Sequence, residues 1–133
     1  MLVRRLNHSD LEQVKNIYAE AFLVDVLVEV SYTKQDIYVV CDEDIILGMC
    51  MVNYIDDIFV GKRTAYVNAV CVLRKYQNHG VATFMLREIE KICLEDGCTE
   101  IMLTSSSKRL EANKLYKSLG YSIYDTNVFK KEI

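Results

Sequence analysis

Apolar positions along this chain recur at two spacings, and the switches between them predict its elements. Leu2 to Leu6 reads as a short first strand. Ser9-x-x-Glu12 has the form of a capping box, and Leu11, Val14, Ile17, Tyr18, Ala21 and Phe22 then follow at helical spacing. Residues 24–34 alternate apolar side chains with Asp25 and Glu29 and fit either a short helix or a loop. Ile37 to Cys41 and Ile45 to Ile55 read as strands joined by Asp42-Glu43-Asp44, a hairpin. Asp56 to Lys62 holds turn residues and a glycine, so it reads as a loop before the apolar, β-branched run Tyr66 to Val72.

After a short loop a second helical pattern places Val81, Met85, Ile89, Ile92 and Cys93 on one face and reaches Glu95. Gly97 is the expected left-handed stop. Thr99 to Thr104 is a further strand. Ser105-Ser106-Ser107 supplies an N-cap for a helix running to Leu119, closed by Gly120. Tyr121 to Tyr124 and Val128 to Lys131, separated by Asp125-Thr126-Asn127, complete the pattern as a hairpin. The predicted order is β-α-β-β-β-α-β-α-β-β in one domain over residues 1–133, since a chain of this length supports one core and not two.

The loop between Val72 and the second helix carries the chemistry. Its sequence is Gln77-Asn78-His79-Gly80-Val81-Ala82. A strand turning through a short loop into a helix aims several backbone N–H groups, and the positive end of the helix, at one point. That arrangement suits a phosphate. Gly80 lets the backbone approach the anion, and Ala82 leaves room in the first helical turn. The bland reading is that Gly80 only ends a β–α connection.

A second motif about thirty residues on argues against the bland reading: Ala112-Asn113-Lys114-Leu115-Tyr116-Lys117-Ser118-Leu119-Gly120-Tyr121. With both motifs in this order, the chain resembles the GNAT-type N-acetyltransferase superfamily. That family's pyrophosphate loop reads Q/R-x-x-G-x-G/A, and its later helix carries A-x-x-L-Y-x-x-x-G-F/Y. The resemblance implies an α/β (α+β) fold, a mixed central sheet flanked by helices on both faces. It implies acetyl-CoA as acyl donor, held by the amides of Asn78, His79, Gly80, Val81 and Ala82 with Gln77 shaping the turn. Contacts from the strand at Val70, Cys71 and Val72 and from the helix at Asn113 and Tyr116 follow from the same likeness.

Acyl transfer from a thioester to an amine needs a neutral amine, a polarised carbonyl and a proton for the departing thiolate. A tyrosine hydroxyl, with an ordinary pKa near 10, carries that proton at neutral pH. Tyr116 stands where the resembled family keeps its general acid. The competing reading is a tyrosine ring packed in the core, since Ala112, Leu115 and Leu119 share its helical face. Asn68 and Ala69 occupy the strand position where related proteins often have an acidic base. A base role then falls to water relayed by Asn68, or to Asp56, Asp57 or Glu29. Cys71 has no evident activating partner and reads as core. Arg74 stands near where the resembled family often has proline, and Arg109 where it often has asparagine. Arg74, with Lys75, screens phosphates or is simply solvated, while Arg109 touches cofactor or substrate or covers the helix end.

Composition narrows the partners. A net charge of −3 gives no electrostatic reason to bind nucleic acid or an anionic membrane. No apolar run approaches the roughly 20 residues of a membrane span, and the start of the chain turns polar too soon for a secretory signal. The cysteine count, five, is odd, with no C-x-x-C pair and two histidines in the chain, so no metal site is expected. Free thiols fit a reducing cytoplasm. The expected partner is a small-molecule or peptide amine, and the final hairpin suggests a homodimer through its edge strand. A different class of reading is a sensor or regulatory module that binds acetyl-CoA without turnover.

Overall fold

The computed structural model describes residues 1–25 and 35–133. Its elements are β1 (Leu2–Arg5), α1 (Leu11–Phe22), β2 (Asp36–Asp42), β3 (Ile45–Asp57), β4 (Lys62–Val72), α2 (Val81–Glu95), β5 (Glu100–Leu103) and α3 (Leu110–Ser118). The strands form one sheet in the order β1-β2-β3-β4-β5. The first four are antiparallel neighbours, and β5 joins β4 in parallel after the crossover through α2.

The sheet is buried on both faces, as its runs of Val, Ile and Met require. On one face α1 sets Val14 and Ile17 against Val39, Ile46, Met49 and Cys71. On the other, α2 sets Val81, Met85, Leu86, Ile89 and Cys93 against Val40, Cys50, Val52 and Val67, with Tyr116 and Leu119 closing one end. Met85, Leu86 and Ile89 are at most 1% exposed, so truncating one to alanine removes about 2–5 kcal/mol. Leu86 lies on this face although the expected stripe omitted it, while Ile92 is only partly buried.

Several local expectations are corrected. The entry to α1 is governed by Asn7 and Asp10 rather than by Ser9 and Glu12. Asp10 Oδ2 accepts the Asn7 amide at 2.7 Å and pairs with Arg4 Nη1 at 2.6 Å. Glu12 instead meets Lys15 on the exposed face. The Arg4 guanidinium and the Asn7 amide hold the buried Asp10 carboxyl below the usual carboxylate range against the penalty of burial. Asp56 and Asp57 end β3 rather than sitting on a loop, and β4 starts at Lys62, earlier than Tyr66. α3 starts at Leu110, several residues beyond the three serines, because Ser106 closes a turn with the amides of Lys108 and Arg109.

The last correction is the largest. Tyr121–Tyr124 and Val128–Lys131 form no hairpin: residues 121–133 contain no strand. The segment reaches no acceptors on its own sheet, so its alternating pattern finds no ladder to join. The ambiguous stretch at 24–34, with Glu29, lies outside the described residues apart from Val24 and Asp25.

Candidate active site

The site is built where β4 loses its second neighbour. Thr64 to Val67 pair with Glu100 to Leu103 of β5, and the pairing stops there. Beyond it, β4 also slips against β3: Met51 faces Asn68, Met49 faces Cys71, and Ala69 takes φ 50° in the resulting bulge. A left-handed alanine is uncommon and mildly strained. The consequence is that residues 68–72 have no strand neighbour on the β5 side, and apart from the Val72 carbonyl, which Gln77 takes, the backbone groups on that edge have no ladder partner. Gly48 permits this geometry on β3, since a Cβ there would stand 2.7 Å from the carbonyl oxygen of Cys71.

After Val72 the chain makes a 3-10 turn over Arg74–Tyr76. Glu20 of α1 accepts the Arg74 amide at 2.9 Å and thereby ties that turn to the helix across it. Gln77 Nε2 donates to the Val72 carbonyl at 2.9 Å, closing the loop on the strand it left. His79 Nδ1 donates to the Gln77 carbonyl at 2.6 Å. Asn78 and Gly80 both adopt left-handed backbone, φ 62° and 78°. A Cβ added at Gly80 would project into open space, so the glycine serves the backbone angle and keeps the space before the helix clear.

α2 then begins with no capping side chain. Among the described residues, no acceptor takes the amides of Asn78 to Thr83, and the first helical bond is Phe84 N–H to the Gly80 carbonyl. An uncapped helix start with alternating left-handed residues before it leaves a set of backbone donors of the kind that suits an anion.

A cavity of about 640 Å³ joins these parts. Val70, Cys71 and Val72 form one wall, Gln77, Asn78 and Gly80 to Thr83 another, and Arg109 with Ala112, Leu115 and Tyr116 of α3 a third. Glu20 and Ala21 of α1 complete it. Tyr116 is 7% exposed and its hydroxyl has no hydrogen-bond partner among the described residues. Burial raises its pKa, and the Arg109 charge opposes that only in part, so the hydroxyl keeps its proton at neutral pH. Burial likewise pushes the Cys71 thiol up to about 12, again with Arg109 opposing. That thiol is no nucleophile at neutral pH.

The sequence of residues 5–121 matches the acetyltransferase (GNAT) family. The chain belongs to that family of enzymes. Thialysine N-epsilon-acetyltransferase of Sus scrofa is 28% identical over 78 residues, 55% of this chain and 45% of that protein, so the match spans about half of the relative's length. A putative acetyltransferase from Agrobacterium tumefaciens superimposes with TM-score 0.87 at 13% identity, covering 99% of this chain and all of that one. An aminoglycoside acetyltransferase from an uncultured soil metagenomic sample, solved in complex with sisomicin, gives 0.85 at 15% identity, covering 99% and 95%. At these identities the two structures speak for the fold, a mixed sheet with helices on both faces.

Within this GNAT domain, Val70, Cys71, Val72, Gln77, Asn78, Gly80, Val81, Ala82 and Tyr116 come together on the cavity. Three of the expected site residues lie elsewhere. His79 turns onto Gln77. Asn113 Nδ2 donates to the carbonyls of Ser106 and Arg109 at 2.9 and 2.8 Å, holding the β5–α3 loop. Asn68 lies opposite Met51, and its Oδ1 is buried without a partner, as are Asn53 Oδ1 and Ser105 Oγ. Glu20, which lines the cavity, and Gly48, which backs its wall, are positions that the sequence reading missed. Glu20 carries no signal beyond its place on a helix, and Gly48 sits inside an ordinary strand pattern. The carboxylate candidates on β3 are engaged: Asp56 accepts Arg63 Nε at 2.7 Å, and Asp57 Oδ1 accepts the amides of Phe59 and Val60. Among the described residues no cluster suits a metal ion, and no helix is long and apolar enough to cross a membrane.

Proposed function

We propose that this protein is an acetyl-CoA-dependent N-acetyltransferase acting on a primary amine, a small molecule or a peptide. The observation that carries the reading is the coincidence of three unsatisfied sets in one cavity: the unclaimed amides at the start of α2, the open edge of β4 and the protonated hydroxyl of Tyr116. Each suits a different part of one ligand. Amides of Asn78 to Ala82 suit a pyrophosphate, with Arg74 and Arg109 on the cavity wall adding positive charge. The open edge at Val70 to Val72 suits an amide-bearing arm and a thioester carbonyl. Tyr116 suits a thiolate that needs a proton.

Acetyl-CoA supplies the activated acyl group. The protein orients it, keeps the carbonyl near a backbone donor of β4, and donates a proton from Tyr116 Oη. On the acceptor side, Asn68 and Ser105 offer neutral, buried oxygen atoms beside the point where β4 and β5 part. Carboxamide and hydroxyl oxygens accept from an amine without fixing its charge, so in this reading a water beside Asn68 relays the amine proton to bulk solvent, and Tyr116 regains from solvent the proton it gives to the thiolate. The sisomicin complex and the thialysine activity belong to those relatives. Both names are consistent with an amine acceptor. The same reading takes the working unit as a cytoplasmic homodimer, without nucleic acid or membrane partners.

One observation favours a second reading, a non-catalytic acetyl-CoA sensor. Asn68 stands where a base would stand, and Asp56 and Asp57 are committed elsewhere. A single assay separates the two: acetyl transfer from acetyl-CoA to a panel of amines, followed as release of free coenzyme A. Release dependent on the amine supports the enzyme. Calorimetric binding of acetyl-CoA with no release for any amine supports the sensor, and no binding at all removes both.

A further inference from the structure

We propose, resting on the acetyl-CoA reading, that Arg109 serves the sulfur end of the cavity: its guanidinium steadies the coenzyme thiolate as the thioester opens, until Tyr116 Oη supplies a proton. The cavity wall carries Arg74, Arg109 and Lys114 together with Glu20 and Glu111. Glu20 has Arg74 Nε at 4.0 Å, and Glu111 has Lys114 Nζ at 3.9 Å. Arg109 is the cation left over, since no carboxylate among the described residues pairs with it. Its hydrogen bonds are made by backbone, the amide donating to Ser106 and the carbonyl accepting from Asn113. Nor does capping account for an arginine there. It holds the cap position of α3, which helices give by preference to a small polar residue, and its side chain caps nothing.

Helix geometry says where that charge goes. Arg109 at the cap, and Ala112 and Tyr116 within α3, fall at i, i+3 and i+7 and all line the cavity. Side chains of a helix lean toward its N-terminus, so the Tyr116 hydroxyl reaches back over the first turn of α3, toward Arg109. Electrostatics agrees. Arg109 makes Tyr116 more acidic, and it acts in the same sense on Cys71 across the cavity. Burial, together with the thiols of Cys50 on β3 and Cys71 on β4, works the other way on Tyr116. Tyr121 meets the Tyr116 ring edge-on, and Glu20 of α1 and Arg74 share the cavity wall. Two groups on opposite walls thus feel one guanidinium, and the space between them is the sulfur end.

The step balances without a further reactant. As the new N–C bond is kept and the C–S bond breaks, the electron pair of that bond goes to sulfur. Tyr116 Oη gives the sulfur a proton, becomes a phenolate and regains a proton from solvent. Negative charge therefore passes from sulfur to Tyr116 Oη, and Arg109 faces both positions. It remains protonated throughout, acting by charge alone. Burial makes either anion costly, so a fixed cation beside them acts where it has most effect.

Arg109→Gln tests the charge and Arg109→Lys its rescue. The side chain is exposed, so both variants should melt with the wild type. In the protein without ligand, Arg109→Gln should raise the pH at which Tyr116 ionises, read from tyrosine ring-carbon NMR with Tyr116→Phe assigning the signal. With acetyl-CoA, its single-turnover rate should fall about 10²-fold, the low end for removing one preorganised donor from developing charge, while calorimetric affinity barely changes. Arg109→Lys keeps a cation and should recover most of the rate. S-acetylpantetheine, a thioester donor without phosphates, separates the two ends of the cavity: the same fractional loss is expected with it. A loss confined to acetyl-CoA, or weaker binding with the rate intact, overturns the proposal by moving Arg109 to the phosphates. So does an unchanged Tyr116 ionisation. A wild type that transfers no acetyl group to any amine removes the acetyl-CoA reading itself, a failure visible before any variant is made.

Discussion

The two halves of β4 share one strand and serve opposite ends. From Lys62 to Val67 the strand pairs with β3 throughout and from Thr64 with β5 as well, and its polar side chains are engaged: Lys62 and Thr64 with Glu100, Arg63 with Asp56, Tyr66 with Thr104. From Asn68 to Val72 it has β3 alone, a left-handed residue, a buried unpartnered carboxamide and an open edge. The first half is complete as it stands. The second half lacks a neighbour on one side, and the cavity lies there. Stability and binding are thus separated along a single strand by the point where one ladder stops.

The separation is tested most severely at Gly80. Gly80→Glu puts a carboxylate into the space before α2 and forces a side chain onto a left-handed backbone. Acetyl-CoA at a hundred times its Kd should raise wild-type stability by about 2.7 kcal/mol, and the variant should lose that increment entirely. Gly80→Ala keeps only the backbone strain, since its Cβ meets nothing, and should retain weakened binding. Equal responses of both variants and wild type to acetyl-CoA in thermal melts would sever the α2 amides from the cofactor.

Tyr116 comes next in size. Tyr116→Phe preserves the ring packing, including the edge-to-face contact with Tyr121 at 6.1 Å, and removes one proton. Single-turnover rates should fall about 10²- to 10⁴-fold while acetyl-CoA affinity barely changes. Because burial raises the Tyr116 pKa, any alkaline loss of wild-type rate due to this group belongs above the ordinary tyrosine value. An unchanged chemical rate in the phenylalanine variant would return Tyr116 to the core.

Gly48→Ala addresses the support behind the open half. Its Cβ would press on the Cys71 carbonyl at 2.7 Å and on Val72 and Val40 side chains beyond it. The strands must separate by a few tenths of an ångström or more. Denaturant unfolding should register about 1–3 kcal/mol lost, and acetyl-CoA affinity should fall as well because the displaced residues, Cys71 and Val72, line the cavity. A loss of stability with affinity intact would place the strain outside the site.

Much of this division is readable in the sequence, and the limits have physical causes. The loop before α2 is legible because glycine and a strand-to-helix switch are local signals. Tyr116 is legible because its motif lies within one helix. The parting of β4 from β5 is not, since Ala69 and Val70 look like any strand residues and the bulge is set by register with β3. Gly48 escapes notice for the same reason: the atom it must avoid is over twenty residues away. The expected hairpin after Gly120 fails instructively. Its alternation is real, but alternation sets the faces of a strand and supplies no neighbour to pair with.

The smallest effect expected is the one that protects the comparison. Asp56 is the exposed carboxylate that sequence alone offers as a base, yet it belongs to the complete end of the sheet. Arg63 binds it with Nε at 2.7 Å and Nη2 at 3.2 Å, and this pairing holds its carboxyl below the usual carboxylate range. A carboxylate made more acidic is a weaker proton acceptor near neutral pH. Arg63 also donates to the Asp96 carbonyl at 2.9 Å and lies over the Tyr54 ring, so it stays in place when one partner changes. Asp56→Asn should therefore leave turnover, acetyl-CoA affinity and melting temperature close to wild type, as is common for exposed ion pairs. The informative failure is a turnover loss of a hundredfold or more with affinity and melting unchanged. That pattern would make Asp56 a base and carry the chemistry across the point where β5 ends, dissolving the boundary between the two halves of β4.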